Sequence, residues 1–171
     1  MGNELPKRRL HRLQNYDYSQ NGAYFITICT QGRKMFFGPN REDVGADSIS
    51  ARMVARTFRA VIGQYPAVHC RYFVVMPNHF HALVEIARAD MESAPTVIQI
   101  VQAFKRYSTI EYVHLVRAGQ AIPFEKHLWQ RSFHDHIIRN ETDYRMIAEY
   151  IQSNPRLWHK DCFYEEPPHE P

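Results

Sequence analysis

Two apolar runs, Val68–Met76 (VHCRYFVVM) and His79–Ile86 (HFHALVEI), are separated by nothing but Pro77-Asn78. Two residues cannot carry a chain between distant elements, so the runs are predicted to pair as an antiparallel hairpin. The rest of the chain must be arranged around it. Ala23–Thr30 (AYFITICT) is β-branched and aromatic, the make-up of a buried strand. Asp47–Gln64 repeats Ile49, Met53, Val54, Phe58, Val61 and Ile62 at three-to-four spacing, which predicts an amphipathic helix with Asp47 as its cap. Thr96–Val116 has the same period through Val97, Ile100, Val101, Phe104, Ile110 and Val113. Trp129–Ile138 predicts another strand. Glu141–Ser153 predicts a third helix, capped by Asn140 and stopped at Asn154-Pro155. Gln31–Lys34 reads as a turn, Met35–Phe37 as a short return strand and Gly38–Ala46 as a loop. The expected class is α+β. Its core is a ferredoxin-like βαββαβ antiparallel sheet with helices on one face, followed by an added C-terminal helix.

At 171 residues, 44% hydrophobic and 23% charged, the chain suits one domain and is too apolar to be disordered throughout. No apolar run is long enough to span a bilayer and Met1–Leu13 has no signal-peptide core, so a cytoplasmic protein without membrane contact is expected. Cys29, Cys70 and Cys162 are widely spaced and form no CxxC pair, which points to core thiols and away from disulfides or zinc. The net charge of +3 is unevenly spread. Lys7, Arg8, Arg9 and Arg12 crowd the amino terminus, while Asp161, Glu165, Glu166 and Glu170 crowd the carboxyl terminus. The expected organisation is a basic arm over 1–17, one domain over 18–160 and an acidic, disordered tail over 161–171. A basic body with a basic arm suits a polyanion partner, and an ordinary solvated surface accounts for the same balance.

Two constellations carry chemistry. In His79-Phe80-His81 the strand period of two puts both imidazoles on one face and Phe80 on the other, which makes half of a divalent-metal site. Taken alone, HxH is as readily two unrelated surface histidines. In Tyr150-Ile151-Gln152-Ser153-Asn154-Pro155, Tyr150 and Asn154 lie one helical turn apart on one face. A phenol beside an amide oxygen that can ligate a metal is workable for phosphoryl transfer, with the tyrosine attacking phosphorus. A packed tyrosine followed by a plain helix stop is the competing reading. Gln152, two residues on, points about 200° away from Tyr150 and is the poorer partner.

The stretches VVMPNHFHALVEI (74–86), FKRYS (104–108), WQRSFHDHIIRN (129–140) and DYRMIAEYIQSNP (143–155) together resemble the REP-associated tyrosine transposases of the single-tyrosine HUH superfamily. The likeness runs from about Tyr18 to Trp158. It implies that His79, His81 and Asn154 hold Mg²⁺ or Mn²⁺. It also implies that Tyr150 cleaves single-stranded DNA at hairpin-forming repeats through a 5′-phosphotyrosine, as a monomer or homodimer. His134, Asp135 and His136 could form a second metal cluster, but Asp135, His136 and Arg139 match a family pattern, which favours a structural network or DNA contact. Lys105, Arg106, Arg131 and Arg139 join the basic arm as expected DNA contacts. Tyr144 and Tyr107 are the rival nucleophiles. A binding module that has lost its activity and a metal-dependent nuclease using water are the competing functions.

Overall fold

The computed structural model describes residues 21–38, 48–87 and 95–164. Four strands form one sheet: β1 (Gly22–Cys29), β2 (Val68–Met76), β3 (His79–Ile86) and β4 (His134–Ile137). Their spatial order is β2-β3-β1-β4, and every neighbouring pair is antiparallel. Helices α1 (Ile49–Ile62) and α2 (Val97–Arg117) connect them in the βαββαβ manner, and α3 (Glu141–Ser153) follows β4. The expected fold class is the one found.

Strand alternation divides the sheet into two working faces. Tyr24, Ile26 and Ile28 of β1 and Phe80, Ala82 and Val84 of β3 face α1 and α2, forming the main core. Phe58, Phe80 and Phe104 meet at its centre, with ring centroids 4.7–5.2 Å apart. Each such ring contributes on the order of 2 kcal/mol by leaving water. On the other face Leu83 packs with Ala148 and Ile151 of α3, bordered by Phe25, Tyr72, Val74, Tyr144 and Ile147. The added helix therefore lies across the sheet from α1 and α2, over the face that carries the odd-numbered residues of β3.

Three local expectations change. Met35–Phe37 is a turn and not a return strand. Its carbonyls are taken by side chains: Ser50 Oγ and Tyr112 Oη donate to Phe36 O, and Ser48 Oγ donates to Phe37 O. The cap of α1 is Ser48, whose hydroxyl accepts from Ala51 N at 3.0 Å, and Asp47 falls outside the described residues. The strand expected over Trp129–Ile138 shrinks to His134–Ile137, with Trp129 making one isolated bridge to Thr30. The Lys105 ammonium explains the shortening. It collects the carbonyls of Gln130, Arg131 and Ser132 at 2.8–3.3 Å, which bends this stretch around the ammonium instead of along β1. Thr96 caps α2 in a reciprocal box with Gln99, and Asn140 caps α3 through Asp143 N.

Candidate active site beneath the third helix

The β2–β3 hairpin has the predicted two-residue loop, so β3 starts at His79 itself. His79 and His81 project from the face nearest α3, their rings 4.4 Å apart, while Phe80 points into the opposite core. Both imidazoles are completely buried. Burial opposes protonation and lowers His79 to about 3, with the neighbouring His81 acting in the same direction. His81 is lowered as well, again chiefly by burial. Two neutral imidazoles on one face are ready-made nitrogen ligands.

Helix α3 brings Tyr150 over this pair. Its hydroxyl lies 3.3 Å from His81 Nε2, and its ring meets Phe25 edge-on, with Phe25 stacked on His81. Asn154, one turn on, is buried beside it. Asn154 reaches the cluster through its amide nitrogen, which donates to Asp161 at 2.6 Å, while its Oδ1 is buried with no hydrogen-bond partner.

Asp161 is the residue that sequence reasoning missed. The chain turns back after α3 through the short 3₁₀ turn Trp158–Lys160 and sets the Asp161 carboxylate among the other groups. Its Oδ2 accepts from Tyr150 Oη at 2.8 Å and stands 3.9 Å from Nε2 of both histidines. Burial alone would push this carboxyl up. The nearby His81, together with hydrogen bonds from Phe163 N, Asn154 and Tyr150, outweighs that and holds it well below the usual carboxylate range. Asp161 and Phe163, at the start of the span expected as a tail, pack onto the site. Phe163 lies against His79 with centroids 4.9 Å apart, and Trp158 flanks the same ring at 5.6 Å. An acidic terminus without periodicity gave no signal that its first residue would be buried.

His79, His81 and Asp161 bring one ligand atom each within 4.8 Å of the others, the one such group among the described residues. The buried, unpartnered Nε2 of His79 is the observation that fits a cation, since a buried acceptor without a donor is costly. Two nitrogens, a carboxylate oxygen and the nearby Asn154 oxygen form a mixed set that suits Mn²⁺ and, with waters, Mg²⁺.

The remaining site expectations divide. The rival Tyr144 is bound to Glu85 at 2.7 Å and raised to about 12, by burial first and that carboxylate second; it anchors α3 to β3. Tyr107 is exposed on α2 and lines a different cleft, with Arg56 and Glu111. Lys105 donates to the 130–132 carbonyls, and burial lowers it to about 8. Arg106 and Arg131 are exposed and line a cleft of about 450 Å³ with Lys126 and His127, with no acidic residue in the lining. Arg139 is exposed next to His136, which pairs with Asp143 at 2.9 Å, and Arg139 N donates to the same carboxylate. His136 and the Arg139 backbone thus share Asp143, while Asp135 lies on the other face of β4. Lys7, Arg8, Arg9 and Arg12 lie outside the described residues.

A ferredoxin-like sheet thus carries a buried histidine pair, and an added helix brings a tyrosine over it. The chain belongs to the family described as "Transposase IS200 like", which it matches over residues 19–154. It is 32% identical to an uncharacterised Haemophilus influenzae protein, over 92% of this chain and 93% of that one. A second Haemophilus influenzae protein, which bears the provisional name REP-associated tyrosine transposase, is 26% identical, over 84% of this chain and 76% of its own. Among solved structures, the REP-associated tyrosine transposase bound to a REP hairpin superposes with a TM-score of 0.55 at 22% identity. That match covers 86% of this chain and 74% of the other, and it shows a shared fold. Among the described residues no helix is long and apolar enough to cross a membrane.

Proposed function

We propose that this transposase nicks and rejoins single-stranded DNA at hairpin-forming repeats, with Tyr150 as nucleophile and a divalent cation held at His79 and His81. The observation that carries the reading is the Tyr150 hydroxyl, poised 3.3 Å from one imidazole and 2.8 Å from a carboxylate in a buried ligand cluster. Asp161 and Asn154 are the candidates to complete the ligand set. The relative known with a REP hairpin bound supports the substrate class.

In this reading the Tyr150 oxygen attacks the scissile phosphorus and loses its proton, which now points at Asp161 Oδ2. The P–O3′ bond breaks, the 3′ oxygen leaves and is protonated, and the 5′ phosphate stays on the tyrosine. Rejoining is the reverse attack by a 3′-OH. Burial followed by the Asp161 hydrogen bond raises the phenol, so the resting side chain is neutral. A bound cation would supply charge for the non-bridging oxygens and for the developing phenolate. Helix α3 fixes the direction of attack, and Phe25 beneath the ring keeps it from swinging away. Arg106, Arg131, Arg139 and the basic arm would contribute sequence-independent phosphate contacts. One chain supplies one tyrosine, so strand exchange takes place by sequential turnover of a monomer or in a homodimer.

End-labelled single-stranded hairpin DNA incubated with Mn²⁺ tests the proposal. A covalent protein–DNA adduct that Tyr150→Phe abolishes is the expected result. Cleavage without an adduct would make the protein a nuclease using water, and binding alone would make it a module without chemistry.

A further inference from the structure

Asparagine in a two-residue hairpin loop usually serves the backbone, because it tolerates the left-handed region. Asn78 has no such duty: among the described residues Arg33 is the only non-glycine with positive φ. The loop is also held without the Asn78 side chain. Thr30 N and Oγ1 both donate to Asn78 O at 2.9 Å, and Phe37 N donates to Pro77 O at 3.1 Å. Yet Asn78 is buried and both ends of its amide are engaged. Nδ2 donates to Phe163 O at 2.9 Å, and Oδ1 lies 2.8 Å from His79 Nδ1.

These two contacts determine each other. A backbone carbonyl only accepts, so the end of the amide that faces Phe163 is its nitrogen. The end that faces His79 is then the oxygen, which also only accepts, so His79 Nδ1 must carry the proton. The lone pair of the neutral ring is left on Nε2, the atom that is buried without a partner and faces Asp161. His81 is held differently. Its Nδ1 meets Thr27 Oγ1 at 2.8 Å, and a hydroxyl can donate or accept, so Thr27 follows whichever tautomer His81 adopts.

We propose that Asn78 is a positioning residue that locks His79 in the Nδ1–H tautomer, whose Nε2 can ligate a cation. The proposal rests on the metal reading above, and partners of this kind typically change metal affinity 10- to 100-fold. The two ideas are separable, because the tautomer exists in the metal-free protein.

The test is a long-range ¹H–¹⁵N correlation spectrum of the metal-free, histidine-labelled full chain, with Mn²⁺ titration calorimetry as a second readout. The wild type should show His79 as Nδ1–H. Asn78→Ala should lose that signature, and its Mn²⁺ affinity should fall on the order of 10-fold or more. Asn78→Asp keeps an acceptor for Nδ1–H but cannot donate to Phe163 O, so it should retain the tautomer and most of the affinity. If the tie to Phe163 were what mattered, Asn78→Asp would behave like Asn78→Ala, and the proposal would fall. An Nε2–H signature in the wild type would also overturn it. A wild type that shows Nδ1–H and binds no Mn²⁺ would establish the lock and defeat the metal reading. Should Asn78→Ala not fold, the wild-type and Asn78→Asp spectra still decide.

Discussion

The hydroxyl of Tyr150 donates 2.8 Å to Oδ2 of Asp161, a residue eleven positions later that lies across a reversal of the chain. The candidate nucleophile is thus tied to an acid that lies beyond the helix carrying it. Burial and this hydrogen bond together keep the phenol protonated well above its ordinary range. Asp161→Ala removes one of the two causes, so the Tyr150 pKa should drop towards the ordinary value of about 10. Ultraviolet difference titration, read against Tyr150→Phe, measures it. An unchanged Tyr150 pKa would show that burial alone sets it.

Tyr150→Phe should abolish the covalent adduct while the protein stays folded. The lost bond is to a charged acceptor, so a stability cost of about 1–2 kcal/mol is expected from thermal unfolding. An adduct that persists in this variant would pass the nucleophile to Tyr107, the rival that is exposed.

Lys105 and Arg131 should separate cleanly, although both are basic and neighbours in space. Lys105→Met leaves three carbonyls without their donor and should cost on the order of 2 kcal/mol through loosening of the 130–132 loop. Arg131→Ala should leave stability nearly unchanged. It should reduce the salt dependence of single-strand binding by roughly 0.7 in log–log slope, the value of one phosphate contact. Fluorescence anisotropy over a salt series, beside thermal melts, would reveal the reverse pattern if the roles are exchanged.

The pH dependence of stability follows from the buried histidines. His79 falls from an ordinary 6.5 to about 3, and His81 moves the same way. Below about 6.5 the unfolded chain therefore binds more protons than the folded one. The stability held in the neutral imidazoles is complete above that pH and drains away as pH drops towards 3. Asp161 adds to the loss lower down: its folded carboxyl lies below the ordinary 3.8, so its contribution is complete above 3.8 and is lost as pH falls from there towards the folded value. The Tm of the metal-free protein should decline steadily from about pH 6.5 to 4, and His79→Gln should flatten the decline. A wild-type Tm that is level across this window contradicts the buried, neutral pair.

Much of this protein was legible locally. The hairpin follows from two residues separating two apolar runs, and the shared face of His79 and His81 follows from the strand period. The facing of Tyr150 and Asn154 follows from the helix period. These are properties of neighbouring residues, so the chain determines them without reference to distant parts, and the order of elements then leaves the βαββαβ sheet as the natural arrangement. Other features depended on partners far away. Ser50 and Tyr112 donate to a carbonyl of Met35–Phe37, which forms a turn, and a lysine on α2 gathers the carbonyls of 130–132, where a strand was expected. Asp161 enters the site, and Asn78 meets Phe163 85 residues away, only because the chain folds back under α3. No periodicity marks such residues, since a hydrogen bond between side chains depends on where two backbones meet in space. The sequence by itself determined the sheet, the histidine pair and the tyrosine helix. The tertiary structure decided which acid joins them and which nitrogen of His79 carries the proton, because both depend on contacts formed only when the carboxyl-terminal turn closes over the sheet.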